Sequence, residues 1–215
     1  MKDLIIFGAS GFGREVAWMV ERVNRHEPTW NLLGFMDDDE RLQDKEINGY
    51  KVLGRASDVG EYSDAFFVCA VGSSRIREKI VRKMKEVNPE IKFGTVVDPS
   101  VEKSDLVKIG EGSILCAHTI ITVNITIGSH VIINLDCTVG HDAVIEDFVT
   151  LYPSVNVSGI TRIGHAVELG TGMQIIQGKK IGDYSIVGAG AVVVKDIPEK
   201  CTAVGSPAKP IKFFE

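Results

Sequence analysis

The hydrophobic pattern changes its period partway along the chain. Up to about residue 95, short apolar runs alternate with helical stripes. Residues 3–7 (DLIIF) read as a buried strand that breaks at once into GASGFG. REVAWMVERVNR then carries Val16, Met19, Val20 and Val23 at i, i+3, i+4 and i+7, which predicts an amphipathic helix. NLLGFMDD (31–38) reads as a second strand ending in acids. DAFFVCAVGSS (64–74) reads as another, leading into a helix faced by Ile76, Ile80, Val81 and Met84. Strand, glycine turn, helix, strand predicts an α/β unit built on a parallel sheet.

From Ile109 every sixth residue is aliphatic: Ile109, Leu115, Ile121, Ile127, Ile133, Val139, Ile145, Leu151, Val157, Ile163, Leu169, Ile175, Ile181, Val187 and Val193. Two residues before most of them stands a small or β-branched residue, such as Ser113, Thr119, Val131 or Ala143, with Lys179 an exception. A period of six suits neither a helix nor an alternating strand and predicts a parallel β-helix, three hexads to a triangular coil. Ile-Gly recurs at 109–110, 127–128, 163–164 and 181–182, which supports a coil of 18 residues. The glycines are expected to let the backbone turn the corner. About five coils at the ordinary strand spacing give a prism about 24 Å tall. The expected organisation is an α/β domain at 1–95, a β-helix at 96–197 and a tail at 198–215.

Composition narrows the possibilities. The 215 residues are 44% hydrophobic and 25% charged, which suits a packed globular protein rather than a disordered one. The net charge of −5 argues against nucleic acid as the main partner. No run approaches the length of a membrane span and the N-terminus lacks a signal-peptide pattern, so a cytoplasmic location without membrane insertion is expected. Cys69, Cys116, Cys137 and Cys201 are scattered and read as reduced thiols.

Candidate chemistry falls in both halves. His141 follows the inward Val139 by two residues and projects from the prism, with Asp142 next to it to hold the imidazole in one tautomer. Gly159 lies 18 residues on, one coil along, where its N–H can serve a developing oxyanion. In the α/β half, Gly8, Ser10, Gly11, Phe12 and Gly13 form a loop before a helix, a place that offers N–H groups to a phosphate. Asp37 and Asp38 end the second strand and Gly72-Ser73 ends another, all at the edge of the crevice where a Rossmann-like domain binds a nucleotide.

The hexads at 109–193, GHDAVIEDF and the following SGxxxIG stretch resemble the hexapeptide-repeat acyltransferases, in particular the NeuD-like sugar acetyltransferases. The resemblance implies a left-handed β-helix, an acetyl-CoA co-substrate and a homotrimer with the active cleft between prisms. It implies His141 as general base, Asp142 as its partner and the Gly159 amide at the thioester carbonyl. Gly170, Gly188 and Ala189 would meet the pantetheine arm, and Lys209, in a GxPAK-like ending, the CoA nucleotide. The N-terminal half would hold a nucleotide-linked sugar and present it to a neighbouring subunit's His141. No two histidines show the five-residue spacing of the family's zinc-binding carbonic anhydrases, so no metal is expected. Phe12 and Thr150 stand where the best-known members carry histidine, which leaves the acceptor open. N-acetylation of a nucleotide-linked amino sugar is the main reading. O-acetylation of a sialic-acid-type sugar, or a non-catalytic sugar-nucleotide-binding scaffold, are the alternatives.

Overall fold

The computed structural model describes residues 1–214; residue 215, at the end of the expected tail, lies outside the described residues. It falls into two compact units, one of residues 1–72 and 76–99, the other of 73–75 and 100–215.

The first unit is a four-stranded parallel sheet in the order Trp30–Met36, Lys2–Phe7, Phe66–Cys69, Lys92–Phe93. Leu4, Ile5, Ile6, Phe67 and Val68 are fully buried, as suits a sheet with helix-bearing crossovers. Helix Gly11–His26 follows the first strand and buries Val16, Met19 and Val20. Helix Ser74–Val87 differs from expectation on one point. Ile76 is 53% exposed, and the inward face is Arg77, Val81 and Met84. Arg77 takes the core position because its Nη1 donates to the carbonyls of Val71 (2.6 Å) and Gly72 (3.1 Å), which satisfies the buried guanidinium.

The second unit is a parallel β-solenoid. Two-residue strands pair with the strand 18 residues later on each of three faces: Ile114↔Ile132, Ile120↔Thr138 and Thr126↔Val144, then upward coil by coil. Of the aliphatic series, Leu115 through Val193 are buried and only Ile109, in the first coil, is half-buried. The residues two before them mostly point inward too, so Thr119, Val131, Cys137, Ala143 and Val149 are buried and most hexads give the core two side chains, Lys179 staying half-exposed.

The solenoid runs further than the aliphatic series. A strand at Glu102–Lys103 precedes it, and Cys201–Val204 continues one face before Lys209–Phe213 folds back antiparallel. The corners also differ from expectation. The Ile-Gly glycines are not left-handed; a Cβ on Gly110 would fall 2.5 Å from the backbone of Gly128 in the next coil. The turn is made two residues later, by a residue with φ between 51° and 70° at every sixth position from Gly112 to Gly190. His118, Asn124, His130, Asp136 and Asp142 are among them, types that tolerate this region better than most.

Candidate active site

His141 and Asp142 form one such corner. The strand Thr138–Val139 ends there, Asp142 turns the chain at φ 58°, and Val144–Ile145 begins the next face. Turning at Asp142 leaves both side chains outside the prism, His141 57% and Asp142 51% exposed. Nδ1 of His141 lies 2.8 Å from Oδ2 of Asp142. With the carboxylate accepting there, the proton sits on Nδ1 and the lone pair on Nε2, which has no hydrogen-bond partner among the described residues. The hydrogen bond from His141, with a second from Asn124, holds the Asp142 carboxyl below the usual aspartate range.

Gly159 lies one coil on. A Cβ there would meet His141 Nε2 at 2.6 Å and Cε1 at 2.8 Å, so the imidazole occupies the space any side chain would need. Among the described residues the Gly159 N–H donates to no acceptor, while the carbonyl accepts from Gly178 N at 3.0 Å. An open imidazole lone pair beside an unused backbone N–H can take a proton and steady an oxyanion within one small area.

The later-coil residues are more ordinary. A Cβ on Gly170 would fall 2.5 Å from Ala189 N, so coil stacking accounts for that glycine, whereas one on Gly188 would meet only a side-chain methyl, Val204 Cγ1, at 2.8 Å. Gly172, Gly178 and Gly190, which the motif reading passed over, are left-handed with open space where a Cβ would be. Ala189 and Lys209 are exposed, Lys209 on the returning strand.

In the first unit, Gly8 has φ 104° and Gly13 packs directly on the Gly8 carbonyl, so both are fixed by the turn. Gly11 is different: its Cβ position is open, apart from Arg14 at 3.9 Å. Ser10 precedes the helix without capping it through its side chain, and Phe12 is half-buried. Asp37 accepts from the N–H groups of Ala9 and Asp39 (2.9 Å each), which ties the glycine loop to the end of the second strand. Asp38 accepts from Ala56 N and pairs with Lys83 Nζ, both at 2.9 Å. Ser73 belongs to the second unit, where its hydroxyl donates to Glu168 Oε1 at 3.2 Å, as Ser74 N does at 2.9 Å. Glu168 and Asn124 escaped the sequence reading: Asn124 is legible only once the 18-residue coil is used to stack positions, and no motif links Glu168 to Ser73 and Ser74, 95 and 94 positions away.

The cysteines are all buried, with the thiols of Cys69 and Cys137 pushed up to about 12 by burial. Among the described residues no group of His, Cys, Asp and Glu is arranged to hold a metal ion, and no helix is long and apolar enough to cross a membrane.

Residues 3–84 match the PglD N-terminal domain. Over 217 aligned residues the chain is 31% identical to the GDP-perosamine N-acetyltransferase of Escherichia coli O157:H7, covering 96% of this chain and 95% of that protein. Among solved structures, the acetyltransferase domain of PglB from Neisseria gonorrhoeae FA1090, in complex with acetyl coenzyme A, superposes with a TM-score of 0.87 at 31% identity, over 98% of this chain and 99% of that one. A histidine-substituted perosamine N-acetyltransferase from Caulobacter crescentus, in complex with CoA and GDP-perosamine, gives a TM-score of 0.87 at 28% identity, over 99% and 98% of the two chains.

Proposed function

The chain belongs to the hexapeptide-repeat acyltransferase family, and from that premise we propose that it transfers the acetyl group of acetyl-CoA to the amine of a nucleotide-linked amino sugar. The observation that carries this reading is the His141–Asp142 pair at 2.8 Å, with Nε2 open beside the unused Gly159 N–H. Two of the relatives that span nearly the whole chain are a GDP-perosamine N-acetyltransferase and a perosamine N-acetyltransferase bound to CoA and GDP-perosamine, which supports an amine acceptor over the hydroxyl of a sialic-acid-type sugar.

The neutral amine attacks the thioester carbonyl carbon. As the C–N bond forms, the carbonyl π pair moves onto oxygen, where the Gly159 N–H receives it. Nε2 of His141 takes the proton from the attacking nitrogen, and Asp142 stabilises the resulting imidazolium. Collapse of the tetrahedral centre breaks the C–S bond, and the imidazolium returns the proton to the departing sulfur. No acyl-enzyme is needed, since a thioester is already activated, and the buried, high-pKa thiols of Cys69 and Cys137 are unsuited to forming one.

Gly8, Ser10, Gly11 and Gly13 hold the nucleotide's phosphates in this scheme. Gly11 is the position best suited to close backbone approach, because neither packing nor φ requires a glycine there. Ala189 and Lys209 lie along the path of CoA. Leu106, Val123 and Ile160 are exposed apolar side chains beside the His141 corner, which supports a homotrimer in which a neighbouring prism covers them. Acetyl-CoA and nucleotide sugars are cytoplasmic metabolites, which makes the cytoplasm the working compartment.

The test is incubation with acetyl-CoA and a panel of nucleotide sugars that includes GDP-perosamine and matched hydroxyl sugars, with CoA thiol release and product mass as readouts. Acetylation of an amino sugar at nitrogen supports the reading. Acetylation of the hydroxyl sugars alone moves it to O-transfer, and turnover of none leaves a binding scaffold.

A further inference from the structure

One polar side chain on the catalytic edge has no part in the scheme above. Positions 18 apart along this edge are Leu106, Asn124, Asp142, Ile160 and Gly178. Asn124 stands one coil before Asp142, and both are left-handed, at φ 57° and 58°. The two coils are tied at this point by Asp142 N donating to the Val123 carbonyl at 3.1 Å. The Asn124 amide Nδ2 donates to Oδ1 of Asp142 at 3.3 Å, while Oδ2 faces His141 Nδ1 at 2.8 Å. Each carboxylate oxygen therefore has its own donor, one from the preceding coil and one from the base.

We infer that Asn124 is a positioning residue for acetyl transfer, holding the Asp142 carboxylate so that Oδ2 stays on His141 Nδ1 and the lone pair stays on Nε2. The inference rests on His141 being the base. A half-exposed carboxylate with a single partner rotates about its Cβ–Cγ bond and exchanges that partner for water. A second donor anchored in the neighbouring coil removes that freedom. Asparagine suits the position twice over: it tolerates the left-handed corner, and its amide offers a donor without adding charge. Leu106 and Ile160, in the same column, have no side-chain donor. The Asn124 hydrogen bond also favours the ionised form of Asp142.

Asn124→Gly deletes the donor and keeps the turn, because glycine accepts this φ without strain. Nitrogen NMR of histidine-labelled full-length protein, without substrate, reads the tautomer of neutral His141. Wild type should show Nδ1–H, and Asn124→Gly should gain a share of Nε2–H at an unchanged melting temperature. With acetyl-CoA and the best acceptor of the panel, kcat should fall by about 10-fold with the KM for acetyl-CoA unchanged. Asn124→Asp, which sets lone pair against lone pair, should do no better. In an Asp142→Gly background, Asn124→Gly should have no further effect. A wild-type tautomer in Asn124→Gly overturns the inference whatever the acceptor, and so does an equally large kinetic loss in the Asp142→Gly background. If His141→Ala kept full turnover, the base assignment would fail separately, with the tautomer result still judging Asn124.

Discussion

The His141 imidazole and a side chain at position 159 would compete for one space, and this links a glycine to the base by sterics alone. Gly159→Ala puts a methyl within 2.6 Å of Nε2, so the ring must swing off Asp142. A displacement of that size should lower kcat by about 10- to 100-fold, with the melting temperature nearly unchanged because the site is on the surface. Steady-state kinetics beside a thermal melt checks this, and unchanged turnover would show that the ring does not rest there. Asp142 offers a second residue-level test. Its folded pKa is depressed, so the pair is intact above the range in which an unfolded aspartate titrates, and is lost only as pH falls through the lower folded value. A carboxyl-carbon NMR titration should place the Asp142 midpoint below that of an ordinary aspartate, and His141→Ala should raise it. A midpoint at or above the ordinary value would count against the hydrogen-bonded pair.

At the scale of elements, the solenoid follows from the hexad series because each aliphatic residue fills a fixed place in the prism. Ile133→Asp would bury a carboxylate at a position with no exposed surface and should cost more than about 4 kcal/mol, seen as loss of cooperative unfolding or of soluble protein. An equally stable variant would contradict the register. The hexads made the core, the coil length and the His141 corner legible in the sequence. Other features hid behind different forces. Glu102–Lys103 forms the end rung of its face, paired with Ile120–Ile121, although it carries no aliphatic residue to signal it. Arg77 fills the inward slot that Val81 and Met84 continue at i+4 and i+7, and a hydrophobic pattern passes over a charged residue there because its hydrogen bonds to two carbonyls are invisible in such a pattern. Asn124 sits in no motif; its meaning comes from stacking on Asp142 one coil away. The left-handed corner column, rich in Gly, Asn, Asp and His, was the available signal for it.

For the whole molecule, the proposed trimer draws on the exposed apolar side chains at the His141 edge. Ile160 is 62% exposed and is a β-branched residue at φ 59°, an unfavourable conformation that the isolated subunit repays with little burial. Ile160→Asp should shift sedimentation from trimer toward monomer and lower activity with it, with the subunit fold retained by circular dichroism; a fully active monomer would remove the need for a cleft between subunits. The proposed chemistry turns on one imidazole. His141→Ala, assayed with acetyl-CoA and the amino-sugar nucleotide on which the wild type is most active, should lose about 10²- to 10⁴-fold in kcat and keep its Kd for acetyl-CoA. Turnover at the wild-type rate in that variant would contradict it.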